Sequence, residues 1–246
     1  MSEAQKFACV IMAAGLGKRM KSDLPKVLHK LNGKCLVEYV VETAECCGAA
    51  PIIAIVGHKK ELVIAQLGER IKYAVQEQQL GTGHAVLQTE ALLKGYSGAV
   101  VILSGDVPLL RAETVKELMK THFSQGNACT LVTCSFDHPT GYGRVLRNAD
   151  GSVVGIKEEK DASEAQRIIK EINSGIYMVN APILFEALHH IDNHNAQGEY
   201  YLPDIVPYIL HKGLKIGGLI IPDPLEIAGI NSKEELEALE RAYLRV

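Results

Sequence analysis

The chain has 246 residues, 47% of them hydrophobic, with no tryptophan and a formal net charge of −3 at pH 7, a composition that suits one large α/β unit with a full core. Aromatic residues make up 5% and no basic stripe is interleaved with them, which excludes a nucleic-acid-binding surface. No apolar run approaches the roughly 18 residues of a membrane helix, and the start of the chain leads into no long apolar stretch, so neither membrane nor secretion is indicated and a cytoplasmic location is expected.

The first predicted element is a buried strand, Phe7 to Met12, which breaks into the loop Ala13-Ala-Gly15-Leu-Gly17-Lys-Arg-Met20 and then Leu24-Pro-Lys-Val-Leu28. A strand ending in such a loop brings backbone N–H groups close to an anion. Lys18, Arg19, Lys21 and Lys26 crowd positive charge around it in a chain that is acidic overall, a combination suited to a polyphosphate. Two other phosphate loops are excluded. The dinucleotide fingerprint needs a small residue where Met20 stands, and the ATPase loop needs Ser or Thr where Arg19 stands. Taken alone, the segment also reads as a strand-to-helix turn with solvated cations.

Helical spacing follows at Cys35 to Cys47. Strand-like runs at Ile52 to Val56, Tyr73 to Val75, Val100 to Leu103 and Cys129 to Cys134 then alternate with helical segments at Leu62 to Leu67, His84 to Leu93 and Thr114 to Phe123. This alternation predicts a mostly parallel sheet with helices on both faces and ligands at the carboxyl ends of its strands. The six cysteines, Cys9, Cys35, Cys46, Cys47, Cys129 and Cys134, include no C-x-x-C pair and read as reduced thiols.

The second informative segment is Ala99-Val-Val-Ile-Leu-Ser-Gly-Asp106, an apolar strand that projects one carboxylate from its tip beside a glycine. Magnesium prefers few carboxylates together with water and phosphate oxygens, so Asp106 needs one further protein oxygen, which Asn231 can supply. Ser232 and Glu235 form a capping box that fixes the turn carrying Asn231. Each residue also has an ordinary reading, Asp106 as a turn former before Pro108 and Asn231 as a flank of a helix cap.

After Asp137, glycines punctuate short strands at Arg144 to Leu146 and Val153 to Lys157, and this half is expected to cover the open end of the sheet. His190 and His194 have the spacing of a metal pair but no acidic partner between them, so zinc is not expected. The chain closes on an amphipathic helix, Ser232 to Arg245, with Leu236, Leu239 and Tyr243 on one face. Residues 1–230 are expected to form the body and 231–246 a C-terminal helical segment with a metal ligand at its start.

The loop Ala13 to Met20 with Leu24-Pro-Lys-Val-Leu28 resembles the signature of the sugar-nucleotide pyrophosphorylases, a nucleotidyltransferase family. Gln79-Leu-Gly-Thr-Gly-His-Ala85, Asp137-His-Pro-Thr-Gly-Tyr-Gly-Arg144, Glu171-Ile-Asn-Ser-Gly-Ile176 and Asn195-Ala-Gln-Gly-Glu-Tyr-Tyr201 resemble, more narrowly, the bacterial N-acetylglucosamine-1-phosphate uridyltransferases. The resemblance runs from about residue 7 to residue 245 with the motifs in order. It implies a three-layer, Rossmann-like nucleotide-diphospho-sugar transferase fold with a smaller β-rich sugar-binding part. It also implies a magnesium-assisted reaction of UTP with N-acetylglucosamine 1-phosphate that yields UDP-N-acetylglucosamine and pyrophosphate. By resemblance, Arg19 and Lys26 are catalytic, and Met12, Ala13, Ala14, Gly15, Gln76, Gly81, Thr82, Ser104 and Gly105 bind the nucleotide. Gly141, Glu158, Asn173, Glu199 and Tyr201 surround the sugar, and Asp106 and Asn231 hold Mg2+. Without the resemblance, Thr82 reads as a helix N-cap, Glu158 as part of a solvated charge cluster and Tyr201 as a core aromatic.

Three departures accompany the resemblance. Ser104 stands where these enzymes often have tyrosine, and Pro203 replaces a threonine, removing a hydroxyl and an N–H donor. Many relatives also continue into an acetyltransferase solenoid of hexapeptide turns; none is present here, so no acetyl transfer to glucosamine 1-phosphate is expected. Two other readings stand beside the uridyltransferase: the same chemistry with another sugar 1-phosphate or nucleoside triphosphate, and a catalytically silent nucleotide-sugar binder. Small-molecule substrates are the expected partners, and a homo-oligomer is compatible with the sequence.

Overall fold

In the computed structural model, residues 6–243 are described. Strand β1 (Phe7–Met12) lies at the centre of a sheet, parallel to β4 (Ile52–Val56) on one side and to β6 (Ala99–Ser104) on the other; β5 (Lys72–Val75) continues the parallel run beyond β4. β1 and β6 are buried at every residue but the last, so they read as continuous apolar runs and not as alternating ones. That is the pattern of a sheet covered on both faces. Phe7, Cys9 and Ile11 point into one core with α1 (Leu36–Cys46), α2 (Lys60–Leu67) and α4 (Ala112–Ser124). Ala8 and Val10 point into the other with α3 (Thr82–Leu87), α6 (Ala181–Leu188) and α7 (Ile205–His211). Helix, sheet and helix thus form the three layers of the expected fold.

Beyond β6 the order departs from expectation. The strand next to β6 is β10 (Glu171–Asn180), antiparallel both to β6 and to β7 (Cys129–Ser135), and β11 (Ile216–Ile221) closes the edge parallel to β7. The second half of the chain therefore supplies a central strand as well as a cover for the open end. Ser174 and Gly175 interrupt the apolar run of β10, which conceals it from periodicity alone. β8 (Arg144–Arg147) and β9 (Val153–Lys157) form a ribbon that joins β10 at Ile172. The short helix α5 (Glu164–Arg167) follows it, capped by Ser163 and Gln166.

The single helix expected from His84 to Leu93 is two pieces, α3 and a 3-10 turn at Glu90–Leu93. Thr89 breaks it: the buried hydroxyl donates to the Val86 carbonyl at 2.7 Å, the back-bonding by which threonine competes with the helical ladder. The last helix, α8 (Lys233–Tyr243), lays Leu236 and Leu239 against Leu31 and Leu36, next to the small hairpin of β2 (Lys30–Leu31) and β3 (Lys34–Cys35). Leu236 and Leu239 of the amphipathic face thus pack on the body of the chain, while the side chain of Tyr243 lies outside what is described. The last two residues of the expected helix, 244 and 245, lie outside the described residues. His190 and His194 fall beyond α6 in irregular chain, so their spacing is not that of one helix face; among the described residues there is no group of three or more His, Cys, Asp or Glu side chains placed to hold a metal.

Candidate active site

The carboxyl ends of β1 and β6 meet through their backbones. The Gly105 N–H donates to the Met12 carbonyl at 2.9 Å, and a Cβ on Gly105 would stand 3.1 Å from that oxygen, a tight contact that glycine avoids where the two strand tips meet. Asp106 follows at the tip. Its carbonyl accepts from the Ile230 N–H at 3.0 Å, which draws the turn of residues 229–231 against the end of β6. A Cβ on Gly229 would lie 3.3 Å from Asp106 Oδ2, so glycine keeps the space beside the carboxylate open.

Lys26 reaches the same point from the opposite side. The phosphate loop wraps over it: Gly17 is in the left-handed region at φ 58°, and a Cβ there would stand 2.8 Å from Lys26 Cβ. The ammonium pairs with Asp106 Oδ2 and donates to Asn231 Oδ1 at 3.0 Å. Both side chains of the ion pair are largely buried, at 17% and 15% exposed. Asn231 is held in turn: its N–H donates to Glu235 Oε2 at 2.6 Å, its Nδ2 donates to the Gly229 carbonyl at 3.1 Å, and Ser232 Oγ caps the Glu235 N–H at 3.2 Å. The capping box expected from Ser232 and Glu235 is therefore present with one change, because the Glu235 carboxylate serves the backbone of Asn231.

Two clefts open from this point and share Thr82, Ser104 and Asp106. The smaller, about 300 Å³, is lined by Met12, Ala14, Gly15, Lys26, Gln76, Gly81 and Glu199. The larger, about 770 Å³, carries Arg19, Gly141, Tyr142, Ser174, Asn231 and Glu235. Most of the residues expected at the nucleotide and the metal thus face connected space. Ala13 and Gly105 contribute to its floor through the strand-tip contact. Gln76, buried at the end of β5, donates from Nε2 to the Gly81 carbonyl at 3.1 Å. Gly81 has φ 116°, and a Cβ there would meet the Tyr200 carbonyl oxygen at 2.5 Å, so no other residue fits. Gly81, not Thr82, caps α3; the Thr82 hydroxyl instead accepts from the Leu202 N–H at 2.9 Å and ties the helix to the segment that carries Glu199 and Tyr201.

The residues expected at the sugar are divided. Gly141 lines the large cleft, and Glu199 the small one. Glu158 and Tyr201 line a third space of about 340 Å³ with Asp161 and Asp204. Asn173 lines none of these three spaces; its N–H donates to the Gly143 carbonyl at 2.8 Å, and a Cβ on Gly143 would be 3.0 Å from Glu158 Oε1. Burial pushes the Glu158 carboxyl above the ordinary carboxylate range, and Asp204 and Asp161 push it further. Tyr201 is buried with its hydroxyl accepting from Gln197 Nε2 at 2.8 Å. Pro203 is the second residue of the 3-10 turn Leu202–Asp204, in the first turn, where an N–H has no partner within the helix.

Sequence reasoning passed over Tyr142 and Ser174 as site residues although both lie inside motifs it used. Their signal was proximity to those glycines. Burial raises the Tyr142 hydroxyl, with Glu235 and Asp106 adding to the effect and Arg19 opposing it, which places this ring within the field of the site.

Asp106 Oδ2 and Asn231 Oδ1 aim at one cationic atom. One carboxylate plus one amide oxygen, both hard donors, fit magnesium.

Residues 9–173 match the family described as the MobA-like NTP transferase domain. The chain belongs to the MobA-like NTP transferase family. The match includes Arg19, Lys26 and Asp106 and ends before Asn231. Among curated proteins, it is 49% identical over 241 residues to the "Bifunctional protein GlmU" of Caldanaerobacter subterraneus subsp. tengcongensis, covering 98% of this chain and 52% of that one. It is 47% identical over 227 residues to the protein of the same name from Acetivibrio thermocellus, covering 92% and 49%. This member of the MobA-like family thus spans about half the length of the curated relatives it matches. Among solved structures, a UDP-glucose pyrophosphorylase complexed with UDP-glucose superposes with a TM-score of 0.76 at 18% identity, over 98% of each chain. At that identity the likeness establishes the nucleotide-diphospho-sugar transferase fold.

Proposed function

We propose that this chain transfers the uridylyl group of UTP to N-acetylglucosamine 1-phosphate, releasing pyrophosphate. The observation that carries the reading is the convergence of Lys26, Asp106 and Asn231 at the mouth shared by the two clefts. Three residues from the start, middle and end of the chain have no reason to meet in a solvated turn. The 49% and 47% identity to GlmU proteins over nearly the whole chain supports this choice of substrates.

The chemistry needs no covalent enzyme intermediate. An oxygen of the sugar phosphate attacks the α-phosphorus of UTP in line, a new P–O bond forms as the bond to the β-phosphate breaks, and pyrophosphate leaves. The smaller cleft suits the nucleoside, with the buried Gln76 amide and the backbone around Gly81 and Thr82 reading the base edge. Backbone groups at Ala13 to Gly15 approach the phosphates, and Arg19 and Lys26 neutralise charge that grows as pyrophosphate departs. Asp106 and Asn231 would hold magnesium, which supplies further neutralisation on phosphate oxygens. Gly141, Glu158, Asn173, Glu199 and Tyr201 are assigned to the hexose and its acetamido group. The body and the C-terminal helical segment work as one unit in this scheme, since Asn231 opens the latter, and the reading involves neither nucleic acid nor membrane; no described helix is long and apolar enough to cross one.

The test is a panel of nucleoside triphosphates against sugar 1-phosphates with pyrophosphate detection. Magnesium-dependent release with UTP and N-acetylglucosamine 1-phosphate is expected above all other pairs. A clear preference for glucose 1-phosphate or another base would replace the substrate assignment, and silence with every pair would remove the enzymatic reading.

A further inference from the structure

Tyr177 is an anomaly in the core. It sits on β10 at 1% exposure, among the apolar side chains beneath the sheet, yet its hydroxyl has no well-formed hydrogen bond. A buried hydroxyl so weakly partnered carries a desolvation cost that phenylalanine would avoid. Its surroundings give the reason for keeping it. The Asn173 side chain lies beside the hydroxyl, and Glu158 is the carboxylate that acts on it most strongly.

Backbone irregularity creates this neighbourhood. Asn173 pairs with Thr133 and Tyr177 with Leu131, so β10 uses four residues where β7 uses two. The bulge folds Ser174 and Gly175 outward. Gly175 takes φ 79°, the Ser174 hydroxyl donates to the Val132 carbonyl at 2.6 Å, and Asn173 Oδ1 accepts from the Gly175 N–H at 3.2 Å. Asn173 and Tyr177 are thereby drawn together across the bulge on the side where Glu158 packs over Gly143. Bulges re-aim side chains next to active sites.

We propose that Tyr177 is a positioning residue of the sugar pocket: its hydroxyl, set behind Asn173 and Glu158, fixes the orientation in which these two side chains meet the hexose. The inference rests on the sugar-site reading of Asn173 and Glu158 given above. Tyr177 touches no substrate. Its effect passes through the two polar groups in front of it, and it acts on the sugar side alone, because neither cleft wall around Lys26 and Gln76 includes it.

Tyr177→Phe tests this, since it removes one oxygen and leaves the ring in the core. Steady-state kinetics on wild type and variant in parallel are expected to show a KM for N-acetylglucosamine 1-phosphate raised roughly five- to tenfold, with the KM for UTP within twofold. The preference for that sugar over glucose 1-phosphate is expected to fall, while the melting temperature changes little, because the ring stays in the core and only a weakly partnered hydroxyl has gone. Unchanged sugar KM and preference in an active variant would overturn the positioning role alone. A lower melting temperature with kcat and both KM values shifted together would make Tyr177 merely structural and overturn it too. A wild-type enzyme that turns over no acetamido sugar phosphate would bring down the sugar-site reading and this inference with it.

Discussion

Lys26 Nζ lies 3.0 Å from Asn231 Oδ1, although 205 positions separate them in the chain. The contact exists because the phosphate loop, the tip of β6 and the turn before α8 each fix one backbone at the same place. It also makes the C-terminal helical segment part of the site.

Replacing Lys26 with Ala removes a preorganised charge. The expected cost is about 2 to 4 kcal/mol of transition-state stabilisation, expressed mainly in kcat, with the KM for UTP little changed. Steady-state kinetics distinguish this from a simple loss of UTP binding, which would raise KM and leave kcat intact.

Asp106→Ala is expected to lower magnesium-supported turnover by roughly two orders of magnitude or more. Circular dichroism is expected to stay close to wild type, with a modest fall in melting temperature because the largely buried Lys26 ammonium loses its partner. Near-normal rates in this variant would remove its assigned role.

Glu235→Ala tests how Asn231 is held. It deletes the carboxylate that accepts from the Asn231 N–H at 2.6 Å, and loss of a capping interaction costs about 1 kcal/mol of helix stability. A several-fold rise in the magnesium concentration needed for half-maximal rate is expected, with unaltered KM for the sugar. An unchanged magnesium titration would show that the turn keeps Asn231 in place without this carboxylate.

The parallel half of the fold was legible because its strands are uniformly apolar and its helices are not. β1, β4, β6 and β7 lie within a residue of the expected spans. β10 escaped because Ser174 and Gly175 form a bulge beside the candidate site, and that irregularity interrupts the pattern on which prediction depends. The cations of the first loop, Arg19 and Lys26, and the strand-tip Asp106 were visible as local motifs. The placing of Glu158 and Tyr201 in one space and Gly141 in another was not, since it depends on how the β8–β9 ribbon folds over the sheet, and no local spacing encodes that. Tyr177 was invisible for a related reason: in sequence it is one more aromatic in an apolar run.

His122 gives a pH signature outside the site. It is 1% exposed, with Nδ1 2.9 Å from Thr130 Oγ1 and Nε2 3.0 Å from Asn180 Oδ1, and burial lowers its pKa below the ordinary histidine value. The unfolded chain therefore binds a proton at this group more readily than the native one. Its contribution is fully present above the unfolded value of about 6.5 and is lost as pH falls below it toward the depressed native value. Urea melts between pH 8 and pH 5 are expected to show this loss, and His122→Gln is expected to flatten it. An equal slope in the variant would assign the effect to other groups.

The most direct measurement is a crystal structure of the protein with UTP and magnesium bound. The account predicts one triphosphate whose oxygens are met by Arg19 and Lys26, with the metal ligated by Asp106 and Asn231 on the same phosphates. A nucleotide seated elsewhere, or these side chains directed to separate ligands, would contradict it.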